Sequence, residues 1–91
     1  MKALHLMIHG RVQGVWFRAS TQEAAHTLKI RGWVRNAPDG SVEAHIQGDD
    51  RAVEEMVAWC RTGPPGARVD AVDIHETNPV EEYRSFTIRY Y

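Results

Sequence analysis

Hydrophobic and polar residues alternate over the first nine positions of the chain. Leu4, Leu6 and Ile8 share one side of an extended segment, while histidine and methionine residues occupy the other side. A period of two is typical of a strand with one buried face. The pattern therefore predicts a first strand over residues 3–9.

Two later segments carry apolar residues at helical spacing instead. The first runs from Phe17 to Leu28, with polar residues on the opposite face. The second follows Asp49 or Asp50, either of which suits a helix N-cap, and ends at a glycine-proline stretch over residues 63–66. Its stripe consists of Val53, Met56, Val57 and Cys60. Both patterns predict amphipathic helices.

Further strands are predicted around these helices, over residues 33–36, 41–47, 69–76 and 85–91. The turn Pro38-Asp39-Gly40 joins the first two as an antiparallel hairpin. Val72 and Ile74 are expected to face inward in the next strand. The order β-α-β-β-α-β plus a last strand is the split βαβ arrangement of ferredoxin-like sandwiches. We therefore expect an α+β fold with two helices on one face of a mainly antiparallel sheet.

Length and composition are those of an ordinary globular chain. The 91 residues, 43% of them hydrophobic, predict a single domain over residues 1–91. No apolar run reaches membrane-spanning length, and the N-terminal stretch lacks the pattern of a signal peptide. We therefore expect a cytoplasmic location, and the small size together with the lack of an obvious apolar patch favours a monomer. The single cysteine, Cys60, falls in a helical stripe and is interpreted as a buried, inert thiol.

Charge is unevenly distributed along the chain. The net charge of −1 argues against a protein that coats nucleic acid. Residues 1–40 nevertheless hold six Lys or Arg and two acids, whereas residues 41–91 hold five and ten. Two solvated faces of opposite sign would explain this asymmetry. Alternatively, Arg11, Arg18 and Arg35 create a local field that attracts a small anion.

The segment GRVQGVWFR, residues 10–18, lies between the first strand and the first helix. Glycines allow successive backbone N–H groups to point inward, and a helix N-terminus adds unpaired N–H groups with partial positive charge. Such loops commonly hold phosphate, and the Arg18 guanidinium could bind two of its oxygens. The alternative is a tight structural turn followed by a surface arginine. The segment is no Walker A motif, since it lacks the Gly-Lys-Ser/Thr ending.

Asn36 ends the second predicted strand, immediately before the Pro38-Asp39-Gly40 turn. Asparagine at such a position often forms the turn itself. In the alternative interpretation its carboxamide accepts a hydrogen bond from a water molecule and orients it.

Two segments together resemble the signature segments of acylphosphatases: GRVQGVWFR at residues 10–18 and GWVRNAPDGSVEAHIQG at residues 32–48. The stretches GPPGARV and FTIRYY are also similar to the family, so the resemblance spans the whole chain. It implies a ferredoxin-like fold and hydrolysis of acyl phosphates to a carboxylate and inorganic phosphate, without metal or cofactor. Phosphate is then expected as product and competitive inhibitor, with neither nucleic acid nor membrane as a partner.

The resemblance also implies roles for individual residues. Arg18 would bind the phosphate and Asn36 would position the attacking water, as the two catalytic residues. His9 stands where several members have an aromatic residue such as Tyr, which affects the expected substrate preference. The expected substrate-binding residues of the loop are Arg11, Val12, Gln13, Gly14, Val15, Trp16 and Phe17.

The chain lacks an obvious nucleophile and base, which suits an acyl phosphate. Its carboxylate leaving group has a conjugate acid of pKa ~4 to 5 and departs without a proton from the enzyme. An alkoxide leaving group, with a conjugate acid roughly ten units weaker, would need that proton. Positioning and positive charge then remain as the main requirements for catalysis.

Three alternatives follow from other features. His5, His9 and His45 lie on one sheet face and could bind zinc. The string RGWV at residues 31–34 is similar to the start of the RNP1 segment of RNA-recognition motifs, but it falls on the second strand and not on the third. The third strand also exposes no aromatic residue. Finally, a non-catalytic small-anion-binding or interaction module could use the same fold.

The chain contains three tryptophans. Core or boundary packing is expected for Trp16, Trp33 and Trp59. The alternative is that one of them lines the pocket for the acyl group.

Overall fold

Five strands and two helices follow one another in the order that the sequence predicts. The structure is a computed structural model that describes residues 1–90. Its elements are β1 (Lys2–Arg11), α1 (Phe17–Leu28), β2 (Arg31–Asn36), β3 (Val42–Gly48), α2 (Asp50–Thr62), β4 (Arg68–Thr77) and β5 (Phe86–Arg89). Tyr90 follows β5, and the predicted end of the last strand at Tyr91 lies outside the described residues.

The strands form one sheet in the order β4-β1-β3-β2-β5. Neighbouring strands are antiparallel except β2 and β5, which are parallel, with Arg35 opposite Arg89. Both helices pack on the same face, and the ferredoxin-like α+β fold is therefore confirmed. The parallel pairing matters for function, because it places the end of β5 beside the end of β2.

The core lies between the helices and the sheet. Leu6 and Ile8 of β1 are fully buried, as the alternating pattern predicts, and they pack in one cluster with Phe17 and Met56 from the helices. Cys60 belongs to this cluster, and burial raises the pKa of its thiol to about 12. The predicted burial of Cys60 is therefore confirmed.

The predicted orientation of Ile74 is confirmed, but the residue is not buried. Ile74 lies opposite Leu6 and points to the helix side, but 37% of it is exposed. The reason is its place on β4, which has a neighbouring strand on one side only and lies at the margin of the helical layer. Alternation predicts which side a residue faces, but it does not predict whether a helix reaches that far.

The face of the sheet without helices is crossed at one end by the segment between β4 and β5. The Gln47 carboxamide donates to the Val80 carbonyl oxygen and accepts from the Val80 N–H, at 2.9 and 2.8 Å. Tyr83 in the same segment accepts a hydrogen bond from the Trp33 indole at 3.1 Å. Within residues 1–90, no helix has both the length and the apolar composition needed to cross a membrane.

Candidate active site

The loop between β1 and α1 begins at a distortion of the sheet. The register between β1 and β4 shifts at His9 and Gly10, where Gly10 has a φ of 131°. A Cβ at Gly10 would collide with the carbonyl oxygen of Arg68, so only glycine fits. Gly14 also has a positive φ, of 74°, but no atom lies within 4 Å of the position its Cβ would take. The loop therefore borders open space at Gly14.

The start of α1 has no side-chain cap. Trp16 occupies the N-cap position in the left-handed conformation, and it makes no capping hydrogen bond through its side chain. The first turn also contains no acidic residue. The N–H groups of this turn and the positive end of the helix dipole are thus available to an anion.

Arg18 supplies a positive charge next to this helix start. Its side chain is half-buried, and its guanidinium carbon lies 4.9 Å from the centre of the Tyr90 ring. Among residues 1–90, no carboxylate forms an ion pair with Arg18. The charge is therefore held against an aromatic face, and no acid among the described residues neutralises it.

Asn36 reaches the same place from the sheet. It is the last residue of β2 and lies opposite Val42 on the helix side. A cavity of about 350 Å³ joins it to the loop and to Arg18, and no acidic side chain lines that cavity. The lining residues are Val12, Gly14, Trp16, Phe17, Arg18, Ala19, Asn36, Ile88 and Tyr90.

The Gln13 side chain ties the loop to the hairpin that carries Asn36. Its Nε2 donates hydrogen bonds to the carbonyl oxygens of Ala37 and Ser41, both at 2.9 Å. The hairpin turn has its own brace, because Asp39 accepts hydrogen bonds from the hydroxyl and the N–H of Ser41. These bonds hold the pKa of Asp39 below its ordinary value of 3.8. The loop and the end of β2 are thus fixed relative to each other.

The structure brings most of the predicted site residues together, but three of them lie outside the cavity lining. Arg11 is exposed at the end of β1. Val15 packs partly against the core, and Gln13 points to the hairpin. Arg35, considered as part of the same positive field, instead donates from Nε to Glu43 Oε1 at 2.6 Å. Of the three arginines considered for an anion-attracting field, only Arg18 lines the cavity.

Sequence reasoning missed Ala19, Ile88 and Tyr90 as lining residues. Ala19 follows directly from the position of Arg18 in the first turn of α1. Ile88 and Tyr90 are brought in by the parallel pairing of β5 with β2. Their alternation in the final strand is visible in the sequence, but nothing in it specifies which strand β5 pairs with.

The tryptophans differ in their surroundings. Trp59 is half-buried and meets Phe17 edge-on, with ring centres 5.7 Å apart. Trp33 is half-buried on β2, beneath the Arg89 guanidinium at 4.5 Å. The prediction of core or boundary packing is wrong for Trp16, because 82% of this residue is exposed. The left-handed backbone at this position accompanies a side chain that projects from the loop.

The three histidines of the alternative zinc site have separate partners. His5 Nε2 lies 2.7 Å from Glu43 Oε2, and His9 Nε2 lies 2.9 Å from Asp73 Oδ2. His45 is buried and bonds to Gln47 at 2.7 Å. Over residues 1–90, His, Cys, Asp and Glu side chains form no cluster of three or more suited to a metal ion.

Comparison with known proteins identifies the family. A family model named Acylphosphatase matches residues 4–88. The chain belongs to the acylphosphatase family. It is 57% identical over 89 residues to an acylphosphatase of Thiobacillus denitrificans, covering 98% of each chain. An acylphosphatase of Methylococcus capsulatus is 48% identical over 97% of this chain and 96% of its own.

Solved acylphosphatase structures have the same fold. The crystal structure of the Bacillus subtilis acylphosphatase matches with a TM-score of 0.94 and 34% identity, covering 99% of this chain and all of that one. The Coxiella burnetii structure matches with a TM-score of 0.90 and 36% identity, covering 97% and 92%. The resemblance that the two sequence segments indicate is therefore confirmed over nearly the whole chain.

Proposed function

We propose that this member of the acylphosphatase family hydrolyses the carboxyl–phosphate bond of acyl phosphates at the cavity between α1 and β2. The observation that carries the proposal is the meeting of an uncapped helix start, Arg18 and Asn36 around one open space. An anion held there would face N–H groups and a guanidinium, and none of the lining residues within 1–90 carries a carboxylate that would repel it.

The phosphoryl group occupies the space over Gly14, where N–H groups of the loop and of the first turn of α1 donate to its oxygens. Arg18 donates two further hydrogen bonds from its planar guanidinium. Negative charge on the phosphoryl oxygens is stabilised by donors that are already in place, so little reorganisation is needed during the reaction.

Asn36 then orients the attacking water. Its carboxamide oxygen accepts a hydrogen bond from the water, whose oxygen lone pair is directed at phosphorus. A bond forms between the water oxygen and phosphorus as the bond from phosphorus to the acyl oxygen breaks. The electron pair leaves with the carboxylate, and the proton lost by water passes to a phosphate oxygen or to solvent.

The leaving group explains why this site can do without an acid catalyst. A carboxylate departs unprotonated, because its conjugate acid has a pKa of ~4 to 5. The residues lining the cavity include no carboxyl, histidine or cysteine side chain that could donate a proton. The site therefore suits an anhydride of a carboxylic and a phosphoric acid better than an ordinary phosphate ester.

The decisive experiment compares benzoyl phosphate with phenyl phosphate in the presence of a strong chelator. We expect rapid hydrolysis of benzoyl phosphate and none of phenyl phosphate, with millimolar inorganic phosphate inhibiting competitively. Hydrolysis of both compounds at similar rates, or a complete loss of activity with chelator, would contradict the proposal.

A phosphate titration separates the proposed enzyme from a non-catalytic anion-binding module on the same fold. Binding of inorganic phosphate without turnover of benzoyl phosphate would identify the module. Turnover together with phosphate inhibition identifies the enzyme.

A further inference from the structure

Trp16 adopts a conformation that its own side chain disfavours. Its φ of 63° and ψ of 24° are left-handed, a region that bulky residues rarely enter. Its side chain is also 82% exposed, although tryptophan is large and mostly apolar. Neither capping nor packing explains the residue, because the side chain caps no N–H group and does not belong to the core cluster.

Trp16 does line the cavity that holds Arg18 and Asn36. Tyr90, another lining residue, is 77% exposed, and Ile88 beside it is half-buried. Polar groups suited to phosphate are thus supplied by the loop, Arg18 and Asn36. The rest of the lining is apolar or aromatic and consists of Val12, Trp16, Phe17, Ala19, Ile88 and Tyr90. Two of those side chains are aromatic and open to solvent.

This division matches the two halves of an acyl phosphate. If the phosphoryl group binds at the loop and Arg18, the acyl group must extend from it toward the remaining lining. From this geometry we infer that Trp16 is a specificity-determining residue, whose indole contacts the acyl group and favours aromatic acyl phosphates over small ones such as acetyl phosphate. The inference rests on the proposed function and adds the class of acyl group.

The physical basis is the burial of exposed aromatic surface. A benzoyl ring against the indole removes apolar area of both from water, and stacked or edge-on rings gain further stabilisation. An acetyl group is too small to cover the indole. We therefore expect Trp16 to raise the selectivity for benzoyl over acetyl phosphate roughly tenfold.

The test measures kcat/KM for benzoyl phosphate and for acetyl phosphate in the wild type, in three variants of Trp16 and in one control variant. Trp16→Asn and Trp16→Gly remove the ring and suit the left-handed backbone, so neither adds strain to the loop. Trp16→Phe keeps an aromatic ring. Trp33→Phe is the matched control, because Trp33 lies on the opposite face of the sheet.

We expect the benzoyl-to-acetyl ratio of kcat/KM to fall roughly tenfold in Trp16→Asn and Trp16→Gly. It should stay near the wild-type value in Trp16→Phe and Trp33→Phe. Inhibition by inorganic phosphate, which lacks an acyl group, should be unchanged in all variants. A ratio unaffected by removal of the ring, or an equal loss for both substrates, would overturn the role of Trp16.

A binding measurement separates this inference from the proposed function. Phenylphosphonate should shift the fluorescence of the exposed indole, and the shift should disappear in Trp16→Asn. A wild type that hydrolyses neither substrate would refute the proposed function. A wild type that hydrolyses both, with neither a change in ratio nor a fluorescence shift that depends on Trp16, would refute only the inference.

Discussion

The guanidinium carbon of Arg18 lies 4.9 Å from the centre of the Tyr90 ring, so the proposed phosphate-binding charge rests on an aromatic face. Exposed cation–π contacts contribute about 0.5–1 kcal/mol. We expect Tyr90→Ser to raise the inhibition constant of inorganic phosphate about two- to fivefold, because the guanidinium loses its support. Tyr90→Phe keeps the face and should behave like the wild type. Equal weakening in both variants would assign the effect to the hydroxyl group.

Removal of the charge itself should have a much larger effect. Arg18→Ala is expected to lower turnover by at least about 10²- to 10³-fold, because it deletes a donor to the transition state. Phosphate inhibition should be lost at the same time. Arg61→Ala, at an exposed position in the last turn of α2, is the matched control and should leave both kinetic values unchanged. Retained phosphate inhibition in Arg18→Ala would contradict its binding role.

Asn36 should affect turnover without affecting phosphate binding. Asn36→Ala removes the acceptor that orients the water, and we expect kcat to fall by about 10²-fold or more. The inhibition constant of phosphate should change little, since the loop and Arg18 remain. Steady-state kinetics with phosphate as inhibitor measures both values. Weakened phosphate inhibition with a normal kcat would reverse the assignment.

A substitution of Gln13 tests whether its side chain positions the loop relative to the hairpin that carries Asn36. Gln13→Leu preserves most of the side-chain volume but removes the two hydrogen bonds to Ala37 and Ser41. Each bond is worth about 1 kcal/mol, so the free energy of unfolding should fall by about 1–3 kcal/mol. If Gln13 also holds the loop at the correct distance from Asn36, kcat should fall more than phosphate affinity. A loss of stability with unchanged kcat would show a structural role only.

Glu43 is expected to make the free energy of unfolding depend on pH. Burial raises the pKa of this carboxyl, but hydrogen bonds from His5 and Arg35 outweigh burial and hold the pKa below 4.5. Its contribution is therefore present above about pH 4.5 and is lost as the pH falls through the pKa of the folded protein. Glu43→Gln should lower the free energy of unfolding at pH 7 by about 1–3 kcal/mol and flatten its decline in acid.

Urea unfolding between about pH 3 and pH 7 measures this dependence. Glu81→Gln, at an exposed position between β4 and β5, is the control and should follow the wild-type curve. Parallel curves for the wild type and Glu43→Gln would show that Glu43 is not the group responsible.

The sequence specifies the order of elements well, because alternation and helical spacing report directly on which residues meet the core. The sequence is less informative where the burial of a residue depends on its position in the tertiary structure. Ile74 follows a strand pattern, yet it is exposed because β4 lies at the sheet edge. Trp16 looks like a core residue until the left-handed backbone of the loop is known.

The residues of the candidate site likewise include some that the sequence predicts and others that it does not. Arg18 and Asn36 follow from the loop motif and the hairpin, together with the family resemblance. Tyr90 does not, because the choice of β2 as the partner of β5 is a long-range contact without a local signal. The direction of the Gln13 side chain is equally hidden, since a glutamine in a glycine loop suits a ligand as well as a neighbouring hairpin.

The parallel pairing of β5 with β2 also bears on how the binding cavity assembles. Its walls come from segments close to opposite ends of the described chain, the loop at residues 12–19 and the stretch at residues 88–90. The chain loses conformational entropy when it brings segments so distant in sequence together, and this tends to slow folding. Partially folded species with a formed hairpin but a detached β5 would lack the part of the cavity wall that Ile88 and Tyr90 form. Recovery of the full phosphate affinity after dilution from denaturant therefore requires the docking of the final strand.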